Sequence, residues 1–132
     1  MITPLMIAPA MITKSDRQRR DAAGRRAEVL SAWYLRLKGY RILEKRFKSP
    51  VGEIDLIARR ASVIAFVEVK ARASVTAAIE SVSARQQQRI SRAALTYLQK
   101  RPALAGLRAR FDVILVTPGR KPHHIVDAWR AT

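Results

Sequence analysis

Cysteine is absent from the 132 residues. Disulfide bridges, thiolate zinc centres and cysteine nucleophiles are therefore excluded, and a reducing cytoplasmic compartment is expected. No apolar run approaches the roughly 20 residues needed to cross a bilayer, so no membrane-spanning helix is expected. Acidic side chains are scarce: 10 Asp and Glu stand against 26 Lys and Arg, leaving a net charge of +16. Such an excess points to a polyanionic partner, because each phosphate neutralised releases condensed counterions. RNA, DNA and an anionic membrane surface would each satisfy the charge, and nucleic acid is the partner expected. Internal repeats and interdomain linkers are also missing. At this length, with 48% hydrophobic residues, the chain reads as one globular domain with a buried core.

Met1 to Met11 is apolar, carries Pro4 and Pro9, and has no basic stretch ahead of it, which makes it a poor signal peptide. Residues 1–19 are expected to form a disordered extension and residues 20–132 a single domain. A helix is predicted from about Asp21 to Lys38, with Ala23, Ala27, Leu30, Tyr34 and Leu37 on its apolar face. Gly39 suits the left-handed position after its end. Glu28 sits on the shoulder of that stripe, where its own position marks it as solvent-facing. A strand follows over Tyr40 to Phe47, with Tyr40 and Ile42 on one side and Arg41 and Leu43 on the other. Lys48 to Gly52 is turn material.

Ala71 to Ala78, small and polar, reads as a mobile loop. Ser83 and Gln86 match a capping box, opening a helix to about Lys100 whose apolar face is Ile90, Ala94, Tyr97 and Leu98. Arg85, Arg89 and Arg92 form a basic ridge on it, either solvated or laid along a phosphate backbone. Phe111 to Thr117 is a buried strand and His124 to Trp129 a last one. This order does not fit a simple alternating parallel sheet. It suggests an α/β fold whose mixed sheet contains an antiparallel meander flanked by helices.

The chemistry concentrates between these elements, in Gly52–Ala58 and Val63–Lys70, apolar strands joined by Arg59-Arg60-Ala61-Ser62. Glu53, Asp55, Glu68 and Lys70 interrupt them where burial normally excludes charge. A turn centred on Ala61-Ser62 pairs Arg60 with Val63 and so sets Asp55 opposite Glu68. A turn through Arg60-Ala61 sets Glu53 opposite Glu68 instead. Either register puts the acids and Lys70 on one face; a slip of one residue separates them. Acids on neighbouring strands, with Cβ atoms roughly 5 Å apart, repel unless a cation lies between them. Lys70 alone cannot neutralise Glu53, Asp55 and Glu68 together. A hard ion such as Mg²⁺ or Mn²⁺ suits carboxylate oxygens, and Lys70 is placed to orient or deprotonate an attacking water or to stabilise charge on phosphorus.

Asp55 followed by Glu68-Val69-Lys70 resembles the PD-(D/E)xK signature of restriction-endonuclease-like nucleases. Gly24-Arg25-Arg26-Ala27-Glu28, Gly39-Tyr40, Gly52 to Ala58, Phe66 to Arg72 and Arg110 to Val113, taken in order, are similar to the YraN family of small bacterial proteins. The resemblance covers about residues 20 to 130. It implies a restriction-endonuclease-like core similar to archaeal Holliday-junction resolvases, with Asp55, Glu68 and Glu28 as metal ligands and Lys70 as the catalytic lysine. Glu53 becomes a supporting residue behind these ligands. Two departures stand out: Ile54 replaces proline before Asp55, and Ile90 occupies the place of tyrosine in a Gln-x-x-x-Tyr element starting at Gln86.

The implied activity is metal-dependent hydrolysis of branched, flap or single-stranded DNA, of the repair and recombination type. Arg25, Arg72, Arg85 and Arg89 are the expected backbone contacts, and the resemblance also allows a homodimer. The alternatives are a nucleic-acid-binding module without chemistry and a basic structural protein of an RNA particle. Asp112 is read as pairing with Arg110 or a helix-end amide. His123 and His124, with no spaced third ligand, are read as surface residues. Trp33 and Trp129 are expected in core or interface, with base stacking the alternative.

Overall fold

The computed structural model describes residues 13–131; the expected extension over Met1 to Met11 lies outside them. The elements are α1 (Lys14–Leu37), β1 (Arg41–Ser49), β2 (Gly52–Arg60), β3 (Val63–Ala71), α2 (Val75–Glu80), α3 (Ala84–Gln99), β4 (Arg108–Val116) and β5 (His123–Trp129). The strands form one five-stranded sheet in the order β1-β2-β3-β4-β5. β1, β2 and β3 make an antiparallel meander, β3 and β4 run parallel, and β5 returns antiparallel to β4. A parallel pair needs a crossover, and α2 and α3 supply it. The fold is thus α/β with a mixed sheet between helices, as the order of elements predicted.

Each face of the sheet has its own core. Ile57, Ile64, Phe66, Val113 and Leu115 pack with Ile90, Ala94 and Tyr97 of α3. Leu56, Ala58, Ala65, Val67 and Ile114 pack with Ala27, Ala32 and Leu35 of α1. The buried face of α1 is therefore rotated from the predicted one: Leu30 is 50% exposed and Leu37 83%. Periodicity finds an apolar stripe but cannot say which stripe meets the sheet, and small residues such as Ala27 and Ala32 allow closer helix–sheet approach. The helix also begins earlier than expected, at Lys14, inside the predicted extension. It ends as predicted at Gly39, with φ +90; Tyr40 N–H donates to the Leu35 carbonyl and Gly39 N–H to that of Arg36, a Schellman closure.

The expected loop over Ala71 to Ala78 is corrected in part to helix α2, capped by Ser74, whose hydroxyl accepts from Ala77 N–H at 3.1 Å. Its six residues are too few to show a helical period, and the fully buried Ala78 anchors it. At Gly52 the two layers almost touch. A Cβ there would stand 2.5 Å from the Arg89 carbonyl oxygen, so glycine is what lets the first turns of α3 close over the start of β2.

Candidate active site at the open end of the central hairpin

The β2–β3 hairpin adopts the Ala61-Ser62 register, with Arg60 opposite Val63 and Leu56 opposite Val67. Pairing stops there. Continuing it would set Asp55 against Glu68, but the strands part, and Val69 N–H donates to Asp55 Oδ2 at 2.8 Å instead of to the β2 backbone. Ile54 and Ile57, three residues apart, both pack beneath α3, so side-chain alternation breaks at Asp55. This local break turns the Asp55 carboxylate toward β3.

Glu68 is buried, at 8% exposure. Its carboxyl lies beside that of Asp55. Burial first, then the contact with and charge of Asp55, push it up to about 9, against the pull of Lys70 and with a further push from Glu28. A buried carboxyl beside a second acid keeps its proton more readily, because burial and a neighbouring negative charge both disfavour its ionised form. Gln86, from the first turn of α3, donates its amide to Glu68 Oε2 at 3.0 Å. Ser83 accepts Gln86 N–H as the capping box predicted, but the Gln86 side chain leaves the helix end for Glu68. Local sequence announces the cap, and nothing local announces the partner.

The structure thus gathers Asp55, Glu68 and Lys70, with Glu28 within electrostatic reach. Glu28, half-buried on α1, accepts from Arg46 Nε at 2.6 Å. Among the described residues no three His, Cys, Asp or Glu side chains are placed to hold a metal ion together. Glu53 is exposed and stands between two clefts. One, about 370 Å³, is lined by Arg25, Glu28, Arg46, Lys48, Glu53 and Asp55; the other, about 470 Å³, by Glu53, Arg85, Gln86 and Arg89. Arg25 therefore edges the cleft that Glu28 and Asp55 line, while Arg85 and Arg89 edge the neighbouring one, with Glu53 common to both. Arg72, just past β3, is exposed and bonds the Ala71 carbonyl at 2.9 Å.

Asp112 takes a different role. It accepts from Arg110 Nε at 2.8 Å and Nη2 at 2.7 Å, and from Asp127 N–H at 2.9 Å. His124 Nε2 lies 2.8 Å from its other oxygen. Burial pushes Asp112 up, but the hydrogen bonds from His124, Arg110 and Asp127 outweigh it and hold the carboxyl below its ordinary range. The expected Arg110 pair is present. His124 is corrected from surface to interior, its side chain 1% exposed, because this acid on the neighbouring strand draws it in. Trp129 is buried and stacks on Phe111 at 5.3 Å, whereas Trp33 is 60% exposed.

Among the described residues no helix is long and apolar enough to cross a membrane. The chain is similar to UPF0102 proteins of Paramagnetospirillum magneticum, with 55% identity over 81% of this chain and 86% of the relative, and of Parvibaculum lavamentivorans, with 52% identity over 81% and 80%. It is also similar to one from a Chelativorans species, with 50% identity over 87% and 93%. The sequence model described as uncharacterised protein family UPF0102 matches residues 27–116. That span runs from Ala27 beside Glu28 through the hairpin acids to the end of β4, and the chain belongs to the UPF0102 family, as its YraN-like motifs implied.

Proposed function

We propose that this protein is a divalent-metal-dependent endonuclease with a restriction-endonuclease-like core, hydrolysing phosphodiester bonds in branched, flap or single-stranded DNA. One observation carries the reading: the buried Glu68 carboxyl lies beside Asp55 and Lys70, and Asp55 lines a cleft with Arg25 and Arg46, in a chain of net charge +16. A buried acid that holds its proton beside a second acid is a place where a cation binds in the proton's stead.

The residues fit Mg²⁺ or Mn²⁺ in a particular way. Such ions commonly take one or two protein carboxylates and complete their shell with water and substrate phosphate, and Asp55 with Glu68 supplies that number. Glu28 is occupied by Arg46, so it acts as an acid bordering the site unless substrate draws Arg46 away. When bound, the ion supplies Lewis acidity and neutralises charge at the phosphate. Val69 N–H fixes the Asp55 carboxylate and Gln86 fixes that of Glu68. Lys70 has no ion pair among the described residues and is free to hold or deprotonate a water.

The test incubates flap, junction, single- and double-stranded DNA with Mg²⁺, Mn²⁺ or EDTA. Cleavage is expected with metal and is lost in Asp55→Ala and Lys70→Ala; cleavage surviving either substitution sinks the assignment. Calorimetric metal titration of the wild type against Glu68→Gln is the companion measurement, and equal affinity would remove the site. The Glu28–Arg46 pair favours a second reading, a nucleic-acid-binding module without chemistry. It is distinguished by salt-sensitive DNA binding that needs no metal and yields no product.

A further inference from the structure

A second polar cluster lies on the α1 face, toward the end of the sheet away from Asp55. Lys38 follows α1 and Arg60 ends β2. Arg60 Nη1 donates to the Lys38 carbonyl at 3.0 Å, and its guanidinium lies over the Tyr40 ring, 4.5 Å from the centroid. Lys38 Nζ stands 2.6 Å from His124 Nδ1. An ammonium is a donor only, so Nδ1 accepts from Lys38 and Nε2–H is the side that faces Asp112. Asp112 is spent on Arg110, His124 and the Asp127 amide.

Lys38 and Arg60 are therefore neighbouring cations with no carboxylate in ion-pair range among the described residues. Burial, followed by the Arg60 guanidinium, holds Lys38 below the ordinary lysine range against the pull of Asp112. Holding like charges together costs free energy that an anion between them would return. Lys38 is half-buried and Arg60 exposed, so a ligand can reach both.

We propose that Lys38 and Arg60 form a phosphate subsite for the nucleic-acid backbone, buttressed by the His124–Asp112 pair and the Tyr40 ring. Lys38, just past α1, is ten positions beyond Glu28, a rise of about 15 Å along the helix from that acid. The inference rests on the nucleic-acid half of the reading above and is independent of hydrolysis.

The experiment measures binding of a short DNA duplex in EDTA across a salt series. Lys38→Gln/Arg60→Gln is compared with Arg120→Gln/Lys121→Gln, which removes equal charge from the exposed turn before β5. The subsite variant should bind roughly tenfold more weakly or worse and lose about 1 from the log–log salt slope, beyond any change in the control. Equal losses in the two variants overturn the subsite. Should the Lys38/Arg60 variant fail to fold, inorganic phosphate titrated into the wild type replaces it. NMR shifts concentrated at Arg60 and the His124 ring support the subsite, and none there overturns it. A protein that binds through these residues but never cleaves removes only the hydrolytic reading. One that cleaves, with a subsite variant no weaker than its control, removes this inference alone.

Discussion

Glu68 on β3 and Asp112 on β4 are buried acids on neighbouring strands, on opposite faces of the sheet. Asp112 is surrounded by donors: a guanidinium, an imidazole N–H and a backbone amide converge on its oxygens. Glu68 meets another acid, Asp55, with the Gln86 amide as its side-chain donor. Burial acts in the same direction on both, so the difference lies in the company each keeps. A carboxylate whose partners are supplied by the fold is a structural element. One left against a second carboxylate at a cleft, beside Lys70, is poised for a cation the fold does not provide.

Breaking the Asp112 network should have the largest effect. Asp112→Ala leaves Arg110 and His124 buried without their acceptor and should cost about 3–5 kcal/mol, read by urea denaturation. In the same assay Glu68→Gln should be neutral or stabilising in metal-free protein, since it removes the carboxyl contact with Asp55. If both variants lose the same stability, the contrast between the acids is wrong.

The pH dependence sharpens the contrast because its sign differs. Glu68, raised from 4.5 to about 9, keeps in the metal-free fold a proton that the unfolded chain has lost. Its contribution is full below pH 4.5 and fades as pH rises toward 9. Asp112, held below its ordinary 3.8, contributes above that pH, and the contribution disappears as pH falls through its lowered pKa. Thermal unfolding across pH should show this decline between pH 4.5 and about 9 in wild type and lose it in Glu68→Gln. Saturating Mg²⁺ should suppress it too.

Gln86→Ala should leave the fold intact at a cost of about 1 kcal/mol while weakening Mn²⁺ binding roughly 10- to 100-fold, because it releases Glu68. Unchanged metal affinity would reduce Gln86 to a helix-cap residue. Smallest of all, Glu53→Gln should shift stability by no more than about 0.5 kcal/mol, as expected of an exposed rim residue.

The hairpin was legible in advance because strand periodicity and a short turn are local, and they left two registers of which the structure takes the Ala61-Ser62 one; the break in β2 that turns Asp55 toward Glu68 was not legible. The cap of α3 and the Gly39 closure of α1 were legible for the same reason. Long-range partners were not. Nothing near Gln86 indicates Glu68, nothing near Arg46 indicates Glu28, and His124 reads as a surface residue until Asp112 is placed beside it.

The rotation of α1 shows the same limit. Leu30, Trp33 and Leu37 make the more hydrophobic stripe, yet the helix buries Ala27, Ser31, Ala32 and Leu35. Spacing along the chain is enough to place the strands, the main helices and the hairpin turn, and to narrow the pairing of adjacent strands to two registers, since those depend on neighbours a few residues apart. Which face of a helix meets the sheet, and which of two buried acids is given donors, depends on groups brought together from distant positions, and only the tertiary structure decided them.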